Sequence, residues 1–551
     1  MAWGMKRGIL ACAVLSVLGF FLWGTPNQPQ AGDVTMPAQK FNSVSYAPFQ
    51  PGQSPGSLHC KVVNGAADCT GGATAAQVAR DLKLIAMQAK GIRTYSAIEG
   101  NFDIGALAQA AGLKVWLGIW LSSNAADNAR EMAAGIAEAN KYPGVVTRVI
   151  VGNEVLLRRD LSVADLIADI DHVRGQVKQP VAYADVTDFW AQFGAELAPH
   201  VDVVMIHFLP YWENKPLDVE TSIASIKSTT DHFKKLFPGK ALAIGETGWP
   251  SRGRWRGAAA PSRVNEAVFL REFVTLAGQE GVDYNLIEAF DQPWKYEDEG
   301  VAGANWGIWN ADRVQKFPLN GGVVEHVSWR WYAILGAAAG SLLFWSTGFR
   351  NVRMAVPCFA MGNGWAIGCA GTLPELYDHW LVLDALVNLP LQAMLAYFAV
   401  QRADALLAGE KLPVQVSAAV TLAALRRGKL LFNYDSLAFL FLAGAAVFQA
   451  MLVFDGRYRD APMAVFIVPV IAAVFRFWTK DKPKNLRWED LLAANLLAIL
   501  ALADAVLEGP ANLDFVTWSF AALVLAAPVV MAQERKGASR RPPIEIGRAH
   551  V

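Results

Sequence analysis

Residues 145–154 (VVTRVIVGNE) and 241–251 (ALAIGETGWPS) decide how this chain folds. Each opens with a short apolar run of strand length and delivers a glutamate, Glu154 or Glu246, at its end. Working outward, runs of the same kind recur at 41–46, 92–95, 113–119, 181–185, 201–207 and 284–290, which makes eight. Helix-patterned intervals at 75–90, 125–140, 163–177, 222–236 and 264–279 separate most of them. Eight strands alternating with helices over about 270 residues predict an α/β fold, a (β/α)8 TIM barrel. The chemistry of such barrels lies at the C-terminal ends of the strands. Glu154 and Glu246 are 92 positions apart, three βα units of about 31 residues each, so both face one mouth from opposite sides.

The rest of the chain obeys a different solvent. Of 551 residues 53% are hydrophobic and 18% charged, and the 49 basic and 49 acidic residues cancel. No global field attracts nucleic acid, so no nucleic-acid partner is expected. The apolar excess sits in runs at about 329–348, 355–373, 380–400, 436–454, 462–478, 490–507 and 513–531, each near the length that crosses roughly 30 Å of hydrocarbon. Lys6 and Arg7 precede one more, residues 8–23, read as an uncleaved anchor in preference to a signal peptide. The expected organisation is an anchor (1–23), an exported barrel domain (24–328), an all-α polytopic membrane domain of seven helices (329–531) and a cytoplasmic tail (532–551). Its last seven residues, 545–551, look like translated adapter sequence.

Charge sets the expected orientation. With the N-terminus inside, the inner side collects Lys6, Arg7, Arg350, Arg353, Arg402, Lys411, Arg426, Arg427, Lys429, Lys480, Lys482, Lys484, Arg487, Arg535, Lys536, Arg540 and Arg541. The short outer loops of the C-terminal region hold only Arg457 and Arg459. The positive-inside rule then places 24–328 outside the cytoplasm. Cys60 and Cys69 lie in that exported part around the turn-forming Asn64-Gly65, which favours a disulfide-closed hairpin over two free thiols. Asp384 and Asp504 fall inside apolar segments, where a carboxylate costs roughly 2.5–3.5 kcal/mol, and packing between helices is the expected role.

Either glutamate alone would have a bland explanation as a helix-start or salt-bridge residue. Together, at strand ends three units apart, they fit the two carboxylates that flank a glycosidic bond. Aromatics crowd the same ends: Tyr95, Trp116, Trp120, Tyr183, His207, Phe208, Tyr211, Trp212, Trp249, Phe290, Trp294 and Trp309. Aromatic faces stack on pyranose rings but also fill cores, so about half of these are expected at the ligand. Trp212, Trp249 and Trp294 are the candidate acceptor platforms. The eight histidines are scattered without ligand-like spacing, so neither metal nor cofactor is expected.

These residues resemble glycoside hydrolase family 17, whose members act on β-1,3-glucans. The motifs are 151–154 (VGNE), 244–251 (IGETGWPS), 288–295 (EAFDQPWK) and 305–309 (NWGIW). The resemblance covers roughly 40–315 and implies a retaining mechanism, with Glu154 as general acid/base, Glu246 as nucleophile and Asn153 on the sugar 2-hydroxyl. The substrate-binding set it completes is Tyr95, Trp120, Asn153, Tyr183, His207, Tyr211, Trp212, Trp249, Phe290, Trp294 and Lys295. One departure is Gln292, where fungal relatives usually carry glutamate.

The architecture further resembles bacterial proteins associated with periplasmic β-1,3;1,6-glucan formation and often labelled β-1,6-glucan synthases. That likeness implies an inner-membrane, multi-pass protein with its barrel in the periplasm. It also implies β-glucan and membrane lipid as partners, with a glucan synthase as a possible further one. Nucleotide-sugar synthesis is disfavoured, because the Asp-x-Asp at 169–171 falls in a helical stretch on the wrong side. The expected activity is therefore glucan transfer that branches, elongates or cyclises glucan. Plain hydrolysis is the alternative, and a glucan-binding or export component is the alternative of another class.

Overall fold

The computed structural model describes residues 2–63 and 66–538. Asn64-Gly65, Arg540, Arg541 and the expected artefact at 545–551 lie outside the described residues. Two compact units emerge, one from Pro29 to Glu325 and one formed by the residues up to Gln28 with those from His326 onward.

The first unit is a closed barrel of eight parallel strands. In chain order the strands are β1 (Ser43–Ser45), the hairpin pair β2 (His59–Val63) and β3 (Ala66–Thr70), β4 (Gly91–Arg93), β5 (Lys114–Ile119), β6 (Val146–Asn153), β7 (Val181–Val186), β8 (Val203–His207), β9 (Ala241–Thr247) and β10 (Asp283–Leu286). The barrel order is β1-β10-β9-β8-β7-β6-β5-β4, each strand paired in parallel with its neighbours, and β2 and β3 form a separate antiparallel ribbon. All eight expected runs are barrel strands. The eighth ends at Leu286 because residues 288–291 turn to bond the 306–309 segment: Glu288 N donates to Trp306 O at 3.0 Å and Asp291 N to Trp309 O at 2.9 Å.

Strands of a parallel barrel are buried on both faces, which is why their sequences are apolar runs without alternation. One set of side chains packs outward under the helices. A smaller cluster, Trp116, Ile150, Ala182, Ala184, Val203, Met205 and Ala243, forms a core of its own. Small residues are obligatory where strands crowd: a Cβ on Gly118 would lie 2.4 Å from Thr94 O. The helices start where capping side chains stop the preceding loop. Asn124, Ser162, Asp218 and Ser262 each accept a backbone N–H from the first turn.

Entry to and exit from the barrel are tied together. Residues 30 and 323 pair as an antiparallel bridge. The buried Arg271, on helix Arg263–Glu280, donates to Ala31 O (2.7 Å), Val34 O (3.1 Å), Pro318 O (2.7 Å) and Gly321 O (2.9 Å).

The second unit is helical: Ala2–Gly24, Trp329–Ser346, Ala355–Thr372, His379–Leu407, Ala418–Leu425, Tyr434–Asp455, Met463–Trp478, Trp488–Glu508 and Leu513–Ala538. Each of the eight expected apolar segments is one of these helices. Among the described residues five spans stand out as long and apolar enough to cross a membrane: Met5–Asn27, His379–Leu407, Tyr434–Asp455, Trp488–Glu508 and Leu513–Gln533. The other three helices are shorter or less apolar. Met463–Trp478 has only 16 residues, while Trp329–Ser346 and Ala355–Thr372 dilute their apolar content with Arg330, Asn363 and several glycines. Those glycines let two helices touch, for a Cβ on Gly362 would lie 2.3 Å from Gly340 N. The first helix joins the same group: Phe20 packs on Trp329 with centroids 4.8 Å apart, and Trp23 Nε1 donates to Asn363 at 2.9 Å. Asp504 is buried and accepts from Gln449 at 2.9 Å, and Gln449 in turn accepts from Trp518 at 2.6 Å, so the carboxylate links three helices. Asp384 lies on an exposed helix face.

Replacing Arg271 by Leu leaves four part-buried carbonyls without this donor. This should cost on the order of 3 kcal/mol of barrel stability. Thermal denaturation of the full chain in detergent checks it, and an unchanged barrel transition would contradict the tie.

Candidate active site

A cleft of about 850 Å³ opens where β4, β5, β6, β9 and β10 end. Its lining includes Tyr95, Trp120, Asn153, Glu154, Arg158, Glu246, Trp294 and Lys295, and the hairpin supplies His59 and Cys60 as part of a wall. The Cys60–Cys69 disulfide pairs the two hairpin strands, with Cα atoms 4.0 Å apart.

The floor of the cleft rests on one buried cation. Arg93, the last residue of β4 and 1% exposed, donates to Glu246 Oε1 at 2.6 Å, to Gly245 O at 3.0 Å and to Asn153 Oδ1. Three strands, β4, β6 and β9, are thereby joined through one guanidinium. Glu246 lies within β9, with its side chain almost fully buried. Glu154 follows β6 with φ +52°, a left-handed turn held by its N–H bond to Ala184 O at 2.8 Å. The turn lifts its carboxyl off the strand, half-buried and facing the cleft.

The two carboxyls sit in opposed fields. Burial, then Glu246 and Asp185, push Glu154 up to about 8. Burial acts on Glu246 in the same direction, but His207, Arg93, Lys295 and the Tyr95 hydroxyl outweigh it and hold the carboxyl below its ordinary value. His207 is itself pushed down to about 4 by burial and is neutral near pH 7, so there the fixed cations Arg93 and Lys295 carry the effect. Near neutral pH one carboxyl is largely protonated and its neighbour ionised. Among the described residues Glu154, His207 and Glu246 bring one potential ligand atom each within 4.8 Å of one another. A cation could be held there by position, but Arg93 and Lys295 already supply positive charge at that spot.

Five more carboxyls line the cleft, Glu99, Asp127, Glu131, Glu288 and Glu299, and sequence reasoning did not single them out as functional. Glu288 takes Lys295 at 2.8 Å and is pushed up to about 7 by burial. Glu99 is pushed up to about 8 by burial and by Glu131. Glu131 accepts from Ser96 Oγ (2.6 Å), Ala97 N (2.8 Å) and Trp120 N (3.1 Å), tying the loops after β4 and β5. Arg93 carried a legible signal, a charge inside a strand-like run (92–95); Glu99 and Glu131 lie in a loop and on a helix, and carried none.

The expected aromatics divide. Tyr95, Trp120, Trp294 and, beside them, Asn153 and Lys295 face the cleft. Trp120 is 36% exposed, and Trp294 is held by Gln292, whose Oε1 accepts from its indole at 2.8 Å. His207 lies beneath the cleft, 3.7 Å from Glu246 Oε2. Tyr183, Tyr211, Trp249 and Phe290 are fully or almost fully buried and absent from the cleft lining. Tyr183 bonds Asp185, Tyr211 donates to Arg254 O, Trp249 to Ala260 O, and Phe290 lies against Trp309. Trp212 is half-buried against Trp306, Tyr211 and Arg256. Residues just beyond a strand also fill the space between barrel and helices, and strand-end position alone does not separate the two uses.

A parallel barrel with two carboxyls facing each other across one cleft is the plan of a glycoside hydrolase. Residues 61–307 match the BtgE/BtgC glycoside hydrolase domain. The chain is 30% identical over 251 residues to a glucan 1,3-beta-glucosidase of Arthroderma benhamiae, covering 41% of this chain and 78% of that protein. It is 30% identical over 257 residues to the probable glucan endo-1,3-beta-glucosidase btgC of Aspergillus clavatus, spanning 42% of this chain and 36% of that protein. A crystal structure of a glycoside hydrolase family 17 beta-1,3-glucanosyltransferase from Rhizomucor miehei aligns at 25% identity and a TM-score of 0.42, over 51% of this chain and 98% of that one. The chain belongs to the BtgE/BtgC glycoside hydrolase family. The expected kinship with bacterial β-1,6-glucan synthases is corrected by these findings: the domain matched is BtgE/BtgC, the relatives are fungal proteins named for β-1,3-glucan, and the likeness covers the barrel.

Replacing Arg93 by Met leaves Glu246 buried with its closest cation gone. Stability should fall by about 3–5 kcal/mol at pH 7. The wild-type carboxylate contributes stability above the ordinary carboxyl range and loses it as pH falls through its lowered value, so the deficit should shrink at pH 4. Denaturation at the two pH values measures this, and an equal loss at both would remove charge from the explanation.

Proposed function

We propose that the chain is a membrane-anchored retaining enzyme that cleaves a β-1,3-glucan donor and transfers it to a glucan acceptor. The observation that carries the reading is the unequal pair: Glu154 raised to about 8 and Glu246 lowered, with one ligand-capable oxygen of each no more than 4.8 Å apart. Carboxyl oxygens that approach this closely suit a direct nucleophile, whereas inversion needs the carboxyls roughly 6.5–9.5 Å apart to admit water. The names of the relatives supply the glucan.

In this cycle Glu246 attacks the anomeric carbon as the glycosidic C–O bond breaks, and Glu154 gives its proton to the leaving oxygen. Glu154, now a carboxylate, takes the proton of an acceptor hydroxyl, whose oxygen displaces Glu246 from the anomeric carbon. Water in place of the acceptor gives hydrolysis, the second reading. Transfer is favoured by an aromatic platform beside each carboxylate. Trp120 follows β5, which neighbours the Glu154 strand, and Trp294 follows β10, which neighbours the Glu246 strand. Of the three acceptor platforms expected from sequence, Trp294 is the one that lines the cleft.

Glu246→Gln should abolish turnover of laminari-oligosaccharides while leaving the thermal transition in place. Glu154→Ala should spare substrates with good leaving groups and yield a β-glycosyl azide when azide is added. An α-azide would exclude retention. Wild type should give products longer than the starting oligosaccharide, and Trp294→Ala should raise the ratio of hydrolysis to transfer, read by mass analysis over time. Only shorter sugars from the earliest points would make the enzyme a hydrolase.

The charge bias of the helical unit supports a barrel outside the cytoplasm. A reporter active only there should score when fused after residue 325 and fail when fused within 410–428. The reverse pattern would overturn that orientation.

A further inference from the structure

Arg158 is a cleft residue to which the proposed chemistry gives no task, and its side chain makes four contacts that belong to two different parts of the site. It closes the short helix Val155–Arg158 that begins directly after Glu154. Its Nη1 donates to Asn153 O, the carbonyl just before the Glu154 turn. Its Nη2 donates to Leu121 O at 2.8 Å, in the loop after β5. The guanidinium plane lies 4.2 Å from the centroid of the Trp120 ring, and Asp160 holds Nε at 2.7 Å from the outer side. The helix end is fixed as well, since Arg158 N donates to Glu154 O at 2.9 Å.

Those contacts use the planar fork of arginine, with two carbonyls, one carboxylate and one ring served at once. On the far side of the Trp120 loop Glu131 takes Trp120 N, so the indole is gripped from backbone and ring. Its remaining surface, about a third of the residue, is left to the cleft.

We infer that Arg158 is a positioning residue that makes the Trp120 platform and the Glu154 turn one rigid piece, so that a sugar ring stacked on Trp120 is registered against the proton donor. The inference rests on the proposed role of Glu154. Registration matters because proton transfer to a leaving oxygen requires hydrogen-bond reach of about 2.6–3.2 Å, and a displacement near 1 Å costs on the order of a hundredfold in rate. Arg158 also faces Glu154 as a charge. The other charged groups acting on that carboxyl are Glu246 and Asp185, which raise it, and Arg93, which with Arg158 lowers it.

Two substitutions separate fork from charge. Arg158→Lys keeps the charge and loses the fork, whereas Arg158→Gln loses both. The full chain in detergent is assayed on laminaripentaose, which needs the acid, and on a 2,4-dinitrophenyl β-laminaribioside, whose leaving group does not. Both variants should lose at least tenfold in kcat/KM on the pentaose and less than threefold in kcat/KM on the dinitrophenyl substrate, since kcat/KM reads the steps up to the covalent intermediate and leaves out the later step in which Glu154 is the base. The alkaline limb of kcat/KM on the pentaose should move to higher pH in Arg158→Gln, because Glu154 then keeps its proton longer, and stay in place in Arg158→Lys. Asp160→Asn loosens the same guanidinium from outside and should show the same substrate split at two- to threefold. Equal losses on both substrates, or no loss on the pentaose, overturn the inference while leaving the proposed activity standing. A wild-type chain inactive on both substrates overturns the proposed activity and the inference with it.

Discussion

The buried contact between Arg93 and Glu246 is the constraint on which the rest of the site depends. A guanidinium inside a barrel is tolerable only when its charge is answered, and here Nη1 and Nη2 are met by a carboxylate on β9, the Gly245 carbonyl and the Asn153 amide on β6, while Nε makes no hydrogen bond. Packing beside it is tight: a Cβ on Gly245, whose carbonyl takes Arg93, would press on Met205 and His207. The upper barrel is polar for the same reason: Asn285 joins Ser43, Ser45 and the Gly245 carbonyl in a buried net beside the ion pair.

From that constraint the asymmetry of the two carboxyls follows. Glu246 is deep and neutralised by Arg93 at contact distance. Glu154 stands one turn above the barrel, where the backbone leaves the sheet and where Asp185 and Glu246 are its nearest charged company on the acidic side. The same residue type thus acquires two protonation states from position alone. The Tyr183–Asp185 pair, deep below the cleft, shapes Glu154 through the backbone: Leu156 N donates to Tyr183 Oη at 3.2 Å, which pins the chain just past the turn.

Much of this was legible in the chain itself, and the limits have physical causes. Apolar runs at even spacing reveal strands because a doubly covered sheet needs them, and Glu154 and Glu246 stood out because both occupy strand ends. The apolar helices were legible by length, and at 329–348, 355–373 and 462–478 small residues that serve helix contact, or a short helix, weaken the apolar pattern. Aromatics were harder: Trp294 and Trp249 both follow strands, yet one faces the cleft and the other packs on Phe269, a difference set by loop paths that no local pattern encodes. Arg158 was invisible, being an ordinary basic residue whose four partners come together only in three dimensions.

The helical unit is discontinuous in the chain, with the barrel inserted between the first helix and the partner it packs against at Trp329 and Asn363. Order of synthesis then becomes a structural property. At about 5–20 residues per second the ribosome takes about 15–60 s to pass from the end of the first helix to the start of the second. For that interval the first helix stands without its neighbours while a whole barrel folds behind it. Because Arg271 draws residues 31 and 321 to the same helix, the finished barrel returns the chain close to where it departed.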